Sequence, residues 1–361
     1  MVDLYDIKED WGDVKKRWEA WWSSDIYDRP LLLIPTAKRA REIPPELEGF
    51  RTEETDMLRK WTDASYLIQR TLMESYGTFY GGEAIPVFNH NWAVGHAVAL
   101  GCVPHFAQDT IWTDPLPVEP GRDYPEIVFD EGNEWWKLIL EVTEKVCVAS
   151  ERRYFVMPMW GNNPGDNLLM CRGSQTLMFD LLEDPGWVKG AVELVTGAFQ
   201  RQIAALRELT PLTGLEGGVN YVGCWSPGKT LGFDCDLSCM ISPGLFREVF
   251  LEPLVDTMRT VDHRIYHLDG TVALHQLDTL LSVDEITAFQ WVPGAGREKI
   301  MQWTPLINKM QASGKSVLVY TSPDEVLPLL KEVSPEGLCI QTYTSGEDEA
   351  KKLIDSVSAL F

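Results

Sequence analysis

The sequence predicts one α/β domain, a single (β/α)8 TIM barrel with an N-terminal helical cap, and three observations support this prediction. Eight β-type apolar runs follow one another at intervals of roughly 20 to 65 residues. Amphipathic helical patterns fill the intervals, and no linker-like low-complexity segment interrupts them. Strands that alternate with helices favour a parallel sheet, and 361 residues are enough to close that sheet into a barrel.

The N-terminal 28 residues carry an aromatic-rich helical pattern that includes four tryptophans between positions 11 and 22. The sequence Asp28-Arg29-Pro30 ends this pattern, because proline does not continue a helix. The first β-type run begins directly afterwards. We therefore expect a helical cap over residues 1–30, packed on a barrel that spans residues 31–361.

The predicted strands and helices alternate in order along the rest of the chain. The strands are Leu31–Thr36, Ala84–Asn89, Tyr154–Trp160, Gly217–Trp225, Arg264–Asp269, Ile286–Trp291, Ser316–Ser322 and Leu338–Thr344. The helical stretches include Glu54–Tyr76, Asn133–Ser150, Asp184–Glu208, Pro243–Thr260, Glu298–Ser313 and Glu347–Leu360. The connection from Asn89 to Asn133 contains five prolines. It is too long for a plain loop, so we expect it to form a lid or an interface element.

The composition argues against several classes of partner. A net charge of −22 and a pI of about 4.7 make nucleic acid an unsuitable ligand. The apolar runs are far too short to span a membrane, and no segment has the basic-then-apolar form of a signal peptide. The seven cysteines include no Cys-x-x-Cys pair, which is typical of reduced thiols. We therefore expect a cytoplasmic protein.

The segment from His263 to Gly296 is the most informative for function. His267 and Asp269 alternate with Leu268, so both side chains point to one face at the end of a predicted strand. In a βα barrel, this end of the strand faces the active-site mouth. A histidine and a carboxylate there can bind a metal or act as an acid–base pair. A hydrogen-bonded pair that only closes the barrel mouth is the structural alternative.

Amides, hydroxyls and indoles follow several other predicted strands. They predict a polar and aromatic pocket for a small neutral or aromatic ligand. The predicted substrate-binding residues are Asn89, Asn91, Trp160, Trp225, Gln290 and Trp291. Asp236 and Tyr221 are predicted to assist His267 and Asp269 in catalysis. Core or rim packing is the alternative for the tryptophans.

Four segments resemble the uroporphyrinogen decarboxylase superfamily. They are YHLDG at 266–270, AFQWVPG at 288–294, CDLSCMISP at 235–243 and SQTLMFDLLEDP at 174–185. The resemblance is closest to the corrinoid-dependent methyltransferase branch, of the methylcobamide or O-demethylase type. It implies a barrel that moves a methyl group between a small methylated substrate and a corrinoid protein. Aryl methyl ethers, methylamines and thiols are the substrates that it suggests.

The same resemblance raises the question of zinc. In the methyltransferase branch, a His-x-Cys-Gly tetrad supplies two zinc ligands, and Asp269 stands here where the cysteine would be. Cys339 precedes its strand end and has the character of a core thiol, and Cys235 and Cys239 fall in a predicted loop. The resemblance therefore implies either zinc held by His267 and Asp269 or an acid without metal.

The decarboxylase branch matches less well. Its Arg-Gln-Ala-Gly-Arg loop after the first strand is replaced by the basic run Lys38-Arg39-Ala40-Arg41, and its Asn-Leu-Gly-His sequence is absent from 341–350. A decarboxylase-like lyase that binds a carboxylated substrate through Lys38, Arg39 and Arg41 stays an alternative. A non-catalytic small-ligand-binding barrel is the other.

The proline-rich connection also predicts a partner surface. We expect a corrinoid protein to dock over the barrel mouth at Val103–Tyr124, which includes Trp112. A homodimer interface made by the same segment is an equal alternative.

Overall fold

The computed structural model describes residues 3–38, 43–157, 159 and 163–361 as a mixed α/β fold. The strands are β1 (Leu31–Ala37), β2 (Thr78–Gly82), β3 (Val87–Asn89), β4 (Val103–Phe106), β5 (Ile111–Asp114), β6 (Phe155–Met157), β7 (Gly218–Val219), β8 (Trp225–Ser226), β9 (Thr230–Phe233), β10 (His263–Asp269), β11 (Ala288–Val292), β12 (Ser316–Tyr320) and β13 (Leu338–Gln341). The helices are α1 (Leu4–Ile7), α2 (Trp11–Trp22), α3 (Met57–Thr62), α4 (Ala64–Gly77), α5 (Gly95–Ala99), α6 (Glu134–Ser150), α7 (Pro164–Arg172), α8 (Ser174–Glu183), α9 (Pro185–Leu209), α10 (Pro243–Val249), α11 (Leu251–Met258), α12 (Leu277–Leu281), α13 (Thr304–Ala312), α14 (Pro323–Leu329) and α15 (Glu347–Ser358). Within these ranges, no helix combines the length and the apolar character needed to cross a bilayer.

A seven-stranded sheet forms the centre of the fold, with the order β2-β1-β13-β12-β11-β10-β9. Its neighbours pair in parallel, except that β2 runs antiparallel to β1. Beside it lie a parallel pair, β3 with β6, and two antiparallel pairs, β4 with β5 and β7 with β8. Among the described residues, the ladders of the central sheet end at β2 and β9, and no closed ring of strands is found. The fold is thus α/β with a mainly parallel sheet.

Each of the eight predicted strands overlaps an observed strand, but the fourth differs in detail. The run Gly217–Trp225 contains β7 and the first residue of β8, whereas β9 is the strand that joins the central sheet. Gly232 lies within β9 and weakens its β-type pattern, because glycine offers no side chain to pack. The proline-rich connection contains the hairpin β4–β5, which the sequence did not reveal.

The strands bury side chains on both faces, as their alternation requires. Leu268 and Trp291 belong to the large core that the sheet forms with helices such as α9 and α11. Ile265 and Ala288 point the other way and pack in a second core with the tryptophans of α2. The N-terminal helices therefore cover part of the opposite sheet face. The proposed domain boundary after residue 30 stays a prediction.

A buried ion network fixes α2 to the start of the sheet. The Glu83 carboxylate accepts two hydrogen bonds from Arg29, at 2.8 and 3.0 Å, and one from Arg17 at 3.1 Å. The backbone N–H of Leu32 in β1 donates a fourth at 2.8 Å. Glu83 is fully buried and Arg29 is 5% exposed. This carboxylate therefore holds three segments of the chain together.

Candidate active site

The candidate site lies at the carboxyl ends of β9 and β10. Phe233 of β9 pairs with Tyr266 of β10, so the next residue along each strand, Asp234 and His267, reach the same edge of the sheet. Asp234 is buried and His267 is half-buried. Ligands bind in α/β folds at this end of parallel strands, because loops there bring side chains from several strands together.

A hydrogen-bonded chain fixes the tautomer of His267. Its Nδ1 lies 2.5 Å from Oε1 of Gln290, and Nε2 of Gln290 donates to the hydroxyl oxygen of Tyr320 at 2.7 Å. An amide oxygen only accepts hydrogen bonds, so Nδ1 of His267 must carry the proton. In the neutral imidazole, Nε2 is then the basic nitrogen. The chain thus orients one nitrogen of His267 as an acid–base group.

Two buried carboxylates share a donor beside this chain. The side-chain nitrogen of Asn163 donates to Asp166 at 2.5 Å and to Asp234 at 3.2 Å. Asp166 also accepts the backbone N–H groups of Asp236 at 2.9 Å and Leu237 at 2.8 Å. Helix α7 and the turn after β9 are joined through these bonds. The arrangement brings two acidic groups together in a site with little water.

Burial and mutual repulsion raise the pKa of both Asp166 and Asp234 to about 7. The two titrate as a pair, so near neutral pH they share a proton. The pKa of Asp236 is raised as well, although its side chain is exposed by surface area. Protein atoms displace part of the water around this carboxylate, and Asp269 adds repulsion while His267 opposes it. The carboxyl pair can therefore take up or release a proton near neutral pH.

Tyr221 connects the carboxyl pair to His267. Its hydroxyl donates to Asp234 at 3.3 Å, and its ring meets the imidazole of His267 edge-on, with centroids 6.1 Å apart. Burial raises the pKa of the Tyr221 phenol, so this group stays protonated. The ring packs against Gly232, where a side chain would leave no room for it. A glycine in β9 thus creates the space for Tyr221.

A cleft of about 470 Å³ adjoins this hydrogen-bonded chain at the ends of β11 and β12. Its lining includes Val292, Pro293, Lys299, Tyr320, Thr321 and Glu325. Tyr320 belongs both to the cleft and to the chain that ends at His267. Since most of the lining is apolar with a few polar groups, the cleft suits a small organic ligand.

Several predicted site residues lie together. His267, Tyr221 and Gln290 are joined by the contacts above, and Asp236 interacts electrostatically with His267 and Asp269. Asp269 ends β10 on the same face as His267 and is exposed. Their catalytic roles stay predictions.

Other predicted substrate-binding residues lie elsewhere. Trp291 follows Gln290 in β11, so it points to the opposite face, where its ring meets Trp303 in the helix-side core. Trp225 is buried under α2 and donates to the Glu216 carbonyl at 3.0 Å. Both side chains pack in cores of the protein, and their substrate-binding roles stay predictions.

Two predicted substrate-binding residues, Asn89 and Asn91, lie at the end of β3. Asn89 is half-buried at the end of that strand, and the following Asn91 is exposed. Neither has a described contact with His267. Trp160 lies outside the described residues, as do Arg39 and Arg41, whereas Lys38 is exposed after β1.

The predicted site residues did not include the buried carboxyl pair, Asp166 and Asp234, or Tyr320. Asp166 is in the first turn of α7 and Asp234 directly follows β9, which was itself not recognised. Because one residue begins a helix and the other follows a strand, the two share no periodic pattern in the sequence. Tyr320 lies near the end of the predicted strand Ser316–Ser322, and that position was the signal available for it.

The described residues do not fit a metal centre with three or more protein ligands. No group of three His, Cys, Asp or Glu side chains in the described part of the chain is placed to hold a metal ion. Structural and catalytic zinc sites use at least three protein ligands. Zinc therefore stays a prediction.

The carboxyl pair predicts an unusual dependence of stability on pH. In the folded chain these groups titrate near pH 7, well above their usual 3.8. Between those values the folded state binds more protons than the unfolded state, so the free energy of unfolding falls as the pH rises towards 7. Asp234→Asn removes the repulsion and lowers the pKa of Asp166. We expect this variant to reduce the fall between about pH 5 and pH 8 by roughly 1–3 kcal/mol.

Urea unfolding of wild type and Asp234→Asn across this pH range measures the effect. Asp109→Asn, at an exposed position in the β4–β5 hairpin, is the control and should give a curve parallel to wild type. Parallel curves for Asp234→Asn as well would contradict a shared proton in the folded state.

Gly232→Ala tests the packing of Tyr221. A Cβ at position 232 would lie 2.3 Å from Cε1 and 2.6 Å from Cδ1 of the Tyr221 ring. The ring must move, so we expect a loss of about 1–3 kcal/mol in the free energy of unfolding. Gly197→Ala in α9 meets no atom within 4 Å and should be neutral or stabilising. Equal stability of the two variants would contradict the tight contact.

The comparisons with known proteins bear on the fold. No protein-family model matches the chain, and no curated protein matches it. Among solved structures, it is similar to a methyltransferase from Methanosarcina mazei, with a TM-score of 0.61 and 12% sequence identity. The alignment covers 96% of this chain and 98% of the other. The chain therefore shares the fold of that methyltransferase over nearly its whole length.

Proposed function

We propose that this chain catalyses methyl transfer between a small methylated substrate and a corrinoid protein, on a closed (β/α)8 barrel. One observation carries the proposal: His267, with a fixed tautomer, lies beside a proton-sharing carboxyl pair and is linked through Gln290 and Tyr320 to a cleft of small-molecule size. The fold shared with a methyltransferase supports it, as does the resemblance of the segment around His267.

The chemistry requires an acid at the leaving heteroatom. When a methyl ether or methylamine loses its methyl group, the carbon–heteroatom bond breaks and the electron pair stays on oxygen or nitrogen. An alkoxide or amide leaves poorly, so a proton delivered in the transition state lowers the barrier. The reduced cobalt of the partner corrinoid supplies the nucleophile that accepts the methyl group. His267, protonated also at Nε2, supplies the proton.

The neighbouring residues keep His267 ready for this role. Oε1 of Gln290 holds the proton on Nδ1, so only Nε2 exchanges a proton with the substrate. Asp236 interacts electrostatically with His267. Asp166 and Asp234 share a proton at neutral pH, so the site is less negative than its carboxylates imply. A developing negative charge on the leaving group is therefore less repelled.

The direct test mixes the protein with a corrinoid protein in the reduced cobalt state and a panel of aryl methyl ethers, methylamines and methyl thiols. The absorption spectrum of the cobalt reports its methylation. Turnover of at least one donor supports the proposal. Turnover of a carboxylated substrate without methylation would favour the lyase, and saturable ligand binding without turnover would favour a binding protein.

The zinc version of the mechanism has its own test. If His267 and Asp269 bind zinc, purified protein contains it, and His267→Ala removes it, because the loss of one ligand removes most of the affinity. Elemental analysis before and after the substitution measures this. Full activity of metal-free protein would leave the acid mechanism alone.

The corrinoid partner is proposed to dock on the β4–β5 hairpin. Val103 and Trp112 are 54% and 51% exposed and lie together on the two strands of this hairpin. His105 stacks on Trp112 and bonds to Asp114 at 2.7 Å, so the exposed tryptophan is held in place. Trp112→Ala should weaken methylation of the protein-bound corrinoid and leave that of free cobalamin unchanged. Equal loss with both acceptors would contradict docking, and a shift from dimer to monomer would assign the hairpin to a homodimer.

A further inference from the structure

A second cavity lies at the other end of the sheet from His267. It has a volume of about 360 Å³ and includes Thr230, the first residue of β9, and Asp262, the residue before β10. The carboxyl ends of these same strands carry Asp234 and His267. The two sites are therefore separated by the length of the strands, and the residues of the second cavity take no part in the proposed methyl transfer.

Arg207 is the unusual group in this cavity. It lies in the last turn of α9, and its Nη2 atom is buried without a hydrogen-bond partner among the described residues. Its Nη1 atom makes one long bond, 3.4 Å, to the Thr260 carbonyl. A guanidinium offers five donors, and buried donors are normally satisfied. Arg207 therefore lines the cavity with a guanidinium that makes one long hydrogen bond among the described residues, although its Nη2 atom is itself enclosed by protein.

The charges around Arg207 favour an anion. Lys229 also lines the cavity, and Asp262 is the one acidic residue in its lining. Asp262 accepts the backbone N–H of Lys229 at 2.9 Å, which directs part of its bonding capacity to the main chain. Burial lowers the pKa of Arg207 and the negative charge of Asp262 opposes this shift, so the guanidinium stays charged at neutral pH. The lining thus carries net positive charge in a chain whose net charge is −22.

The remaining lining is mixed, because Thr210, Thr213 and Thr230 lie beside apolar residues. Pro211 and Pro227 contribute exposed apolar surface, whereas Phe155 and Val156 are almost fully buried behind it. The volume is near the lower end of ordinary small-molecule sites, at roughly 300–1,000 Å³. An inorganic ion alone would leave the apolar part of the lining without contact.

We propose that this cavity binds a small organic oxyanion, with its carboxylate or phosphate on Arg207 and its apolar body against Pro211 and Pro227. A planar guanidinium binds both groups through paired hydrogen bonds, so the shared chemistry is that of an oxyanion. The site is distinct from the candidate active site and does not depend on the proposed methyl transfer.

Calorimetric titration with three probes tests the proposal: phenylacetate, phenyl phosphate and the neutral phenylacetamide. At least one oxyanion should bind more tightly than the amide. Arg207→Gln should weaken that binding roughly 10-fold or more, as expected for loss of charge-assisted hydrogen bonds. Lys229→Gln, at an exposed position, should weaken it roughly 2- to 5-fold without affecting folding. His267→Asn, at the other end of the sheet, should bind with the wild-type Kd.

Three results would overturn the assignment. The first is equal binding of amide and oxyanions, or no saturable binding of any probe. The second is an unchanged Kd in folded Arg207→Gln. The third is loss of binding in His267→Asn, which would place the ligand in the candidate active site. If Arg207→Gln does not fold, the Lys229→Gln titration decides, and an unchanged Kd there counts against the proposal.

Discussion

Replacing His267 by Asn is expected to lower kcat/KM for methyl transfer by roughly 10²–10⁴-fold, the usual contribution of a general acid–base group. Asn keeps a donor that reaches Gln290 but has no proton to give at neutral pH. The loss should be larger for methyl ethers than for substrates with an acidic leaving group, because only the former need protonation. Initial rates of cobalt methylation with a series of aryl methyl ethers measure this difference.

The control for this variant is His275→Asn. His275 is exposed and contacts the Val272 and Ile241 carbonyls, at 2.7 and 3.0 Å. It should retain wild-type rates. Gln290→Leu is a second test of the same mechanism. It removes the hydrogen-bond partner of Nδ1 of His267 and should therefore shift the pH profile of kcat. A uniform loss across all leaving groups in His267→Asn would point to a structural role and refute the acid mechanism.

The largest effect on stability is expected for Glu83→Ala, about 3–5 kcal/mol in the free energy of unfolding. The substitution leaves the buried guanidinium of Arg29 without a counter-charge and the N–H of Leu32 without its acceptor. A buried charge that loses its partner bears the full cost of its desolvation. Urea unfolding monitored by tryptophan fluorescence measures the change.

The exposed pair Glu141–Lys145 supplies the comparison. Glu141→Ala removes an ion pair of 2.6 Å that is open to solvent and should change stability little. The double variant Glu83→Ala with Arg29→Met should recover part of the loss, because no unpaired charge remains. A Glu83→Ala variant as stable as Glu141→Ala would show that the network adds nothing to stability.

The sequence predicted more of the strands than of the site. Apolar runs bounded by turn residues located five of the seven strands of the central sheet but not β2 or β9, and the His-x-Asp-Gly tetrad located β10. The prediction placed both Gln290 and Trp291 in the substrate pocket, although the alternation of side chains along a strand directs the two residues to opposite faces. The sequence pattern also did not identify Asp234 as a site residue, because Gly232 weakens the β-type pattern of the strand that precedes it. Pairing between Asp166 and Asp234 depends on tertiary contacts that local spacing does not encode.

The contacts of the N-terminal segment with the far end of the chain have a consequence for biosynthesis. Ser316 donates to the Trp21 carbonyl, and the Gly337 N–H donates to the Asp25 carbonyl at 3.0 Å. During translation, the tryptophans of α2 leave the ribosome first and their partners on β12 and β13 leave last. Contacts of such sequence separation form slowly. A nascent chain stalled before residue 316 should therefore expose these indoles and bind chaperones that recognise aromatic segments.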